Sequence, residues 1–526
     1  MKTNKRWVLF LFGFILAWLV DFLFWSKTPG ISYPIWITLA AAALIASALL
    51  ARNPVRWSSI VLLLISVGLS VVVFIRQEPL TRFAAGATAL AALILAAADF
   101  PVGIWMKNAI LDHLIAFFKL AWSAVTRPFQ VLHAYANPQT GEGGFSRSLR
   151  KAAPILIGLV IALPILGVLT ILLVSADLVF SNQVELFFKF LDLNRLPEYI
   201  FRTVFVLILA VLFFGVLLHA IHKPEKAEEA GKELVHPFLG WIEGTIVLSL
   251  VNILFGLFVS IQVRYLFGGQ ANISETGFTY SEYARRGFNE LVMVTVFTLL
   301  IYLVFSAVCK WKQKWQKGIF TGLSLLMFAL VMVILASAFT RLQLYESAYG
   351  FTRLRTYTHF FIFWLAGLLA GSALLEVLKK RARFALLLIL FAAGYSLNLA
   401  FVNLDGFVAG KNIQRAAAGE DLDSQYLASL TADALPVMLR EYQDSGNMPE
   451  IKDALGANVA CKVYDFNLQE DKPWQSFTLP DSWLKNMQPS GSNFLSAYPV
   501  EVREGTAFVK VNGSWRECYP IQDVFD

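Results

Sequence analysis

Apolar runs of about 18 to 25 residues recur along the chain, each bounded by charge, Pro or Gly. A helix of that length crosses the hydrocarbon core of a bilayer. The runs lie at Trp7–Trp25, Ile31–Ala51, Trp57–Ile75, Phe83–Trp105, Ala153–Ser175, Thr203–His222, Gly240–Gln262, Phe288–Cys309, Gly318–Thr340, Thr358–Leu378 and Phe384–Phe401. They predict an all-α polytopic membrane bundle of about 11 transmembrane helices. The first run is too long for a signal-peptide core and ends in Phe24-Trp25 with no small-residue cleavage site, so it is expected to be a retained span. The stretch Ala109–Val125 differs. Asp112, His113 and Lys119 interleave with apolar residues at helical spacing, which predicts an amphipathic helix lying in the interface.

The pattern changes near Val402. The remaining residues hold no run long enough to span. Their first third has helical spacing, with Asp423 or Ser424 as a helix cap and Thr431 or Asp433 starting another helix before Pro436. The last third alternates and carries Asn512-Gly513, a strong hairpin signal. The tail is therefore expected to be a small α+β module, with Cys461 preceding one strand and Cys518 inside another. Four regions follow: 1–106 with four spans, 107–151 with the amphipathic helix and a loop, 152–401 with seven spans, and the soluble tail 402–526.

Composition agrees with a lipid-solvated chain. Of 526 residues 57% are hydrophobic and only 15% charged, against roughly a quarter charged in soluble domains. The net charge of +7 sits in short loops, where topology explains it without nucleic acid. With the N-terminus inside, inner loops carry about 22 Lys and Arg and outer loops about 12. The two densest blocks, C-K-W-K-Q-K-W-Q-K and K-K-R-A-R, both fall inside. The N-terminus is thus expected in the cytoplasm and the tail outside it. An oxidising compartment permits a disulfide between Cys461 and Cys518; two buried thiols are the alternative.

Ionisable residues inside spans are functional suspects. They are few: Asp21, Asp99, Asp177, Glu243, Glu290 and Glu376, most of them near span ends. Asp99 is deeper and stands next to a break at Pro101, which gives it a structural role. The outer loops are richer in Arg than topology requires. They offer Arg264, Tyr280, Glu282, Tyr283, Arg285, Arg286, Glu290, Arg341, Tyr345, Glu346, Arg353 and Arg355, with Lys411 and Arg415 just after the last span. Arg among Tyr suits bidentate recognition of phosphate or carboxylate. The same residues also suit an internal Arg–Glu network that clamps loops to the tail. His219, His222 and His236 near two inner span ends are better explained as interfacial histidines than as a metal site, and Asp421-Leu-Asp423 as a helix start than as a metal-binding pair. No P-loop, H-E-x-x-H, G-x-S-x-G or dinucleotide glycine pattern occurs, so no catalytic residue, metal or cofactor is assigned.

Three blocks carry a resemblance: T-Y-S-E-Y-A-R-R-G-F-N-E-L, R-L-Q-L-Y-E-S-A-Y-G-F-T-R-L-R, and N-L-D-G-F-V-A-G-K-N-I-Q-R with D-L-D-S-Q-Y-L-A-S-L-T-A-D-A-L-P. Over roughly Ala153 to Pro436 the chain resembles a family of bacterial multi-pass membrane proteins catalogued only as a domain of unknown function. The resemblance implies a bacterial membrane protein and no activity.

The expected function is a non-enzymatic envelope sensor or assembly protein that binds an anionic ligand on its outer loops or a partner protein through the tail. A transporter or channel comes second, weakened by the lack of mid-membrane charge. A membrane enzyme acting on a lipid-linked phosphate, with Glu282 or Glu290 as base, comes third.

Overall fold

The computed structural model describes residues 3–136, scattered positions between 162 and 180, and residues 196–222, 238–267, 288–446, 448–468, 472–490, 494–503 and 506–518. Among them ten helices are long and apolar enough to cross a membrane. They are α1 (Thr3–Phe24), α2 (Ser32–Leu50), α3 (Trp57–Ile75), α4 (Pro79–Asp99), α6 (Leu196–Ile221), α7 (Trp241–Phe267), α8 (Phe288–Val308), α9 (Lys314–Tyr349), α10 (Arg353–Val377) and α11 (Phe384–Val402). The 27-residue α5 (Ile110–Ala136) is not one of the ten. The expected span Ala153–Ser175 lies almost wholly outside the described residues.

Helix ends follow local chemistry. Glu78 caps α4 by accepting the backbone N–H of Leu80 and Thr81, with Pro79 in its first turn, so α4 starts four residues before the apolar run. It stops at Asp99, ahead of Pro101, rather than at Trp105. The outer loop expected at 341–349 is instead the end of α9, a 36-residue helix that runs on to Gly350, whose φ of +79° stops it. Small residues let α3 and α4 pack closely: Ala85, Ala89 and Ala96 are fully buried, and Ser66 Oγ donates to the Ala89 carbonyl at 2.7 Å.

The bundle has two cores. Leu9, Ile37, Leu62 and Leu217 centre one, built from α1–α6; Leu248, Phe320, Met327 and Leu369 centre the other, built from α7–α10. Helix α11 packs on both α4 and α10 and joins them.

The two ends of the bundle are distinct. At one, Asn53 Nδ2 donates to the Ile221 carbonyl (2.6 Å), Trp105 Nε1 to the Ser58 carbonyl (2.8 Å) and Lys310 N to the Leu239 carbonyl (2.9 Å). The other end carries the tail. There α12 (Leu404–Ala417) follows α11 after Asn403, which takes a left-handed conformation (φ 51°) and caps α12 through Gly406 N. The short α13 (Ser424–Ser429) is capped by Asp423, and a turn capped by Thr431 leads into α14 (Leu435–Asp444), as the sequence anticipates. Two helices follow that the sequence pattern does not announce, α15 (Pro449–Leu468) and α16 (Leu479–Ser490). After the short α17 (Phe494–Ala497), β1 (Val500–Arg503), β2 (Thr506–Val511) and β3 (Ser514–Glu517) form an antiparallel sheet in the order β1-β2-β3. Asn512 and Gly513 turn β2 into β3 with φ of 50° and 82°. Cys461 does not precede a strand: it lies inside α15, bonded to Cys518, which stands just past the end of β3 rather than within it, with 5.7 Å between their Cα atoms.

Candidate functional site

The tail meets the bundle through a buried polar junction. Arg353 opens α10 and Asp405 opens α12. Arg353 Nε donates to Asp405 Oδ1 and Nη2 to Oδ2, both at 2.7 Å. Asp405 is fully buried, and its Oδ2 also accepts Thr431 N (2.6 Å) and Thr431 Oγ1 (2.7 Å). Arg353 Nη2 reaches the Ser429 carbonyl (3.1 Å), and the Arg353 backbone N–H donates to the Tyr426 hydroxyl (2.6 Å). One salt bridge thus orders three segments of the tail around the first turn of α10.

A second carboxylate holds the turn between α3 and α4. Asp433 Oδ2 accepts the backbone N–H of Gln77 (2.7 Å) and Glu78 (2.8 Å). Its other oxygen, Oδ1, is buried without a hydrogen-bond partner. Burial pushes the Asp433 carboxyl up to about 6, opposed by those two backbone donors. Glu78 also accepts the Tyr357 hydroxyl. Gln77 Nε2 donates to Thr478 Oγ1 and Asp481 Oδ1, both at 2.8 Å, and Lys472 Nζ donates to Asp481 Oδ2 at 2.7 Å.

The turn between α1 and α2 makes the third contact. Ile31 N donates to the Phe477 carbonyl at 2.9 Å, over Gly30, which approaches the Ser476 backbone so closely that a Cβ would lie 2.5 Å from it. Within the tail, Lys462 is buried and donates to the Ala428 carbonyl (2.8 Å) and the Leu430 carbonyl. Burial pushes its amine down to about 8.

Of the residues singled out in the sequence, Tyr280, Glu282, Tyr283, Arg285 and Arg286 lie outside the described residues, as does the Arg264 side chain. Glu290 is exposed in the first turn of α8. Tyr345, Glu346, Arg353, Arg355 and Arg415 gather around the α9–α10 turn, whereas Arg341 lies further back along α9. Arg341 Nη2 donates to Gln262 Oε1 at 3.0 Å. Arg355 stacks on Tyr345 at 4.0 Å and donates to the carbonyls of Gly350 (2.7 Å) and Tyr349 (3.2 Å). Arg415 donates to the Glu346 carbonyl at 3.3 Å, and Lys411 stands 5.8 Å from the Phe407 ring. The expected Arg–Glu pairing takes another form: Arg353 pairs with Asp405, and Glu346 faces His359 Nδ1 at 3.1 Å. Asp405, Asp433 and Glu78 are not among the site residues that the sequence suggests. Glu78-Pro79 is a visible helix start, but the partners of Asp405 and Asp433 are fixed only in three dimensions.

Three of the acids within the bundle also have partners. Asp21 takes Arg202 Nε (2.9 Å) and Nη2 (2.6 Å), Asp99 Oδ2 accepts Trp105 N (2.9 Å), and Glu376 accepts Tyr302 (2.7 Å), Thr321 (2.6 Å) and Arg381 (2.5 Å). Among the described residues no three of His, Cys, Asp and Glu are grouped to hold a metal ion.

A family model described as Domain of unknown function (DUF4153) matches residues 39–441. The match starts further toward the N-terminus than the three motif blocks and ends within α14. It includes Gln77, Glu78, Arg353, Asp405 and Asp433, whereas α15, α16 and the sheet follow it. No curated protein and no solved structure matches the chain. On a match that covers most of its length, the chain belongs to the family described as Domain of unknown function (DUF4153).

Proposed function

We propose that this integral membrane protein is a non-enzymatic sensor or assembly protein of a bacterial cell envelope, and that its tail receives a protein partner outside the cytoplasm. The carrying observation is the junction: three turns of the bundle hold the tail through Gly30, Gln77 and Arg353. A module built this firmly into a bundle can pass a contact on its free surface to the spans. The described outer arginines favour this over an anion cleft, because Arg353, Arg355 and Arg415 are engaged with protein groups. The Lys/Arg asymmetry and the Cys461–Cys518 disulfide support a tail outside the cytoplasm.

Site-specific photocrosslinking in native membranes tests the proposal. Probes at Val502 and Arg516, both exposed on the sheet, should give discrete protein adducts that a probe at lipid-facing Phe363 does not. Turnover of a polyprenyl diphosphate by the purified protein, with no adduct at either sheet position, would replace this function with the enzymatic one.

A further inference from the structure

Helix α5 lies across the end of the bundle that is remote from the tail. At about 1.5 Å per residue its 27 residues measure roughly 40 Å, enough to cross a bilayer. Yet its first turn and its middle both neighbour groups at this one end of the bundle. His113 lies against Trp105, which is bonded to Ser58; Arg127 lies beside His219, which contacts the Ala98 carbonyl at 3.3 Å. The packed face carries Leu120 and Ala124, both buried, and the Ala124 carbonyl passes so near Gly215 of α6 that a Cβ there would come within 2.1 Å. Opposite that face, Leu111, Leu114, Phe118, Trp122 and Val125 recur at helical spacing and are 41–73% exposed. Between the two faces runs a polar edge that includes Lys119, Ser123 and Thr126. A helix packed on one side, greasy on the opposite side and polar along one edge fits the boundary between headgroups and acyl chains.

The same end is basic. Lys107 and Lys119 are exposed and make no described ion pair, and Arg56, Lys310, Lys312, Lys379 and Lys380 belong to the same end of the bundle. We propose that α5 is a lipid-reading helix: its apolar stripe seats in the leaflet at this end of the bundle, and Lys107 and Lys119 bind the headgroups of anionic phospholipids. Charge complementarity selects the lipid surface over a second copy of the chain, whose own basic end would repel this one.

Hydrogen exchange of residues 110–128 tests this on the full chain, reconstituted in nanodiscs of phosphatidylcholine alone or mixed with phosphatidylglycerol. Exchange should be slower in the anionic discs, by roughly fivefold for each lysine engaged. Lys107→Gln with Lys119→Gln should abolish the difference between lipids while leaving the slower exchange relative to detergent. Phe118→Asp with Trp122→Asp should remove protection in both lipids, with unchanged exchange in the tail showing that the bundle is intact. Equal exchange in the two compositions would overturn the proposal, as would protection that appears only when two copies share a disc.

Discussion

Arg353 and Asp405 meet in a two-pronged ion pair, 2.7 Å on each prong, that joins the first turn of the tenth bundle-and-interface helix to the first turn of the tail. Asp405 has no exposed surface and Arg353 little. Removing one member of such a pair leaves the other charge buried, at a cost of about 3–5 kcal/mol, whereas replacing both by apolar residues is often neutral. Arg353→Ala should therefore loosen the tail by that order, and Arg353→Met with Asp405→Leu should recover only part of it, because the buried Thr431 N–H then loses its acceptor. Limited proteolysis of the tail across a denaturant series measures both. Equal resistance of the parent and Arg353→Ala would show that the pair contributes nothing to docking.

Asp433 makes the junction depend on pH. Its carboxyl is pushed up to about 6 from the ordinary 3.8, so the docked state holds the proton more tightly than the undocked one. The stabilisation from that proton is complete below about pH 4 and is lost as pH rises through 6, amounting to about 2–3 kcal/mol by neutrality. Asp433→Asn keeps an oxygen for the N–H groups of Gln77 and Glu78 and should flatten the profile between pH 5 and pH 7.5. The ratio of the free-amide to the observed exchange rate at residues 431–437, taken at each pH, reads this.

Reduction of Cys461–Cys518 should destabilise the tail and leave the bundle alone. The bond closes a loop across a separation of 57 residues and fastens the sheet to α15, so its loss should cost the tail about 2–4 kcal/mol. Thermal unfolding with and without reductant, followed by a probe in the sheet and another in α3, separates the two parts.

Gly30→Ala should act on the tail from the far end of the sequence. The added Cβ would meet backbone atoms of Ser476 and Phe477 at 2.5–2.6 Å, which cannot yield as a side chain would. The Ile31–Phe477 hydrogen bond should break, at about 1–3 kcal/mol, with faster exchange confined to residues 474–481.

Orientation is tested by labelling. In intact cells a membrane-impermeant maleimide should modify Glu450→Cys, exposed at the start of α15, and should reach Lys314→Cys, exposed at the opposite end, only after permeabilisation. The reverse pattern would invert the topology and place the disulfide in a reducing compartment.

Spans such as Trp57–Ile75 were legible because length and hydrophobicity alone define them, and the Asn512-Gly513 hairpin because its dihedral demand selects those residues. Helix α15 was not legible. From Ala454 to Val463 every residue is buried, so no polar face gives it a period. Asp405 and Asp433 sit in motifs the sequence singles out, but nothing local distinguishes a carboxylate that will face Arg353 from one that will face water. Helix α9 ran past its apolar run because Leu342 and Glu346 pack inward while Arg341 bonds back to Gln262.

The junction also constrains how the chain can be made. Gln77 leaves the ribosome 356 residues before Asp433 and 404 before Asp481, so its partners do not yet exist when its hairpin enters the membrane. The docking surface is finished only when hairpins inserted early and late have come to the same height. A span left behind or inserted backwards would move Gly30, Gln77 or Arg353 by about the thickness of a bilayer, roughly 30 Å. The tail would then find no seat, and Asp405 and Asp433 would stay in water where proteases can reach them. Tail docking is therefore expected to report whether the spans were inserted correctly.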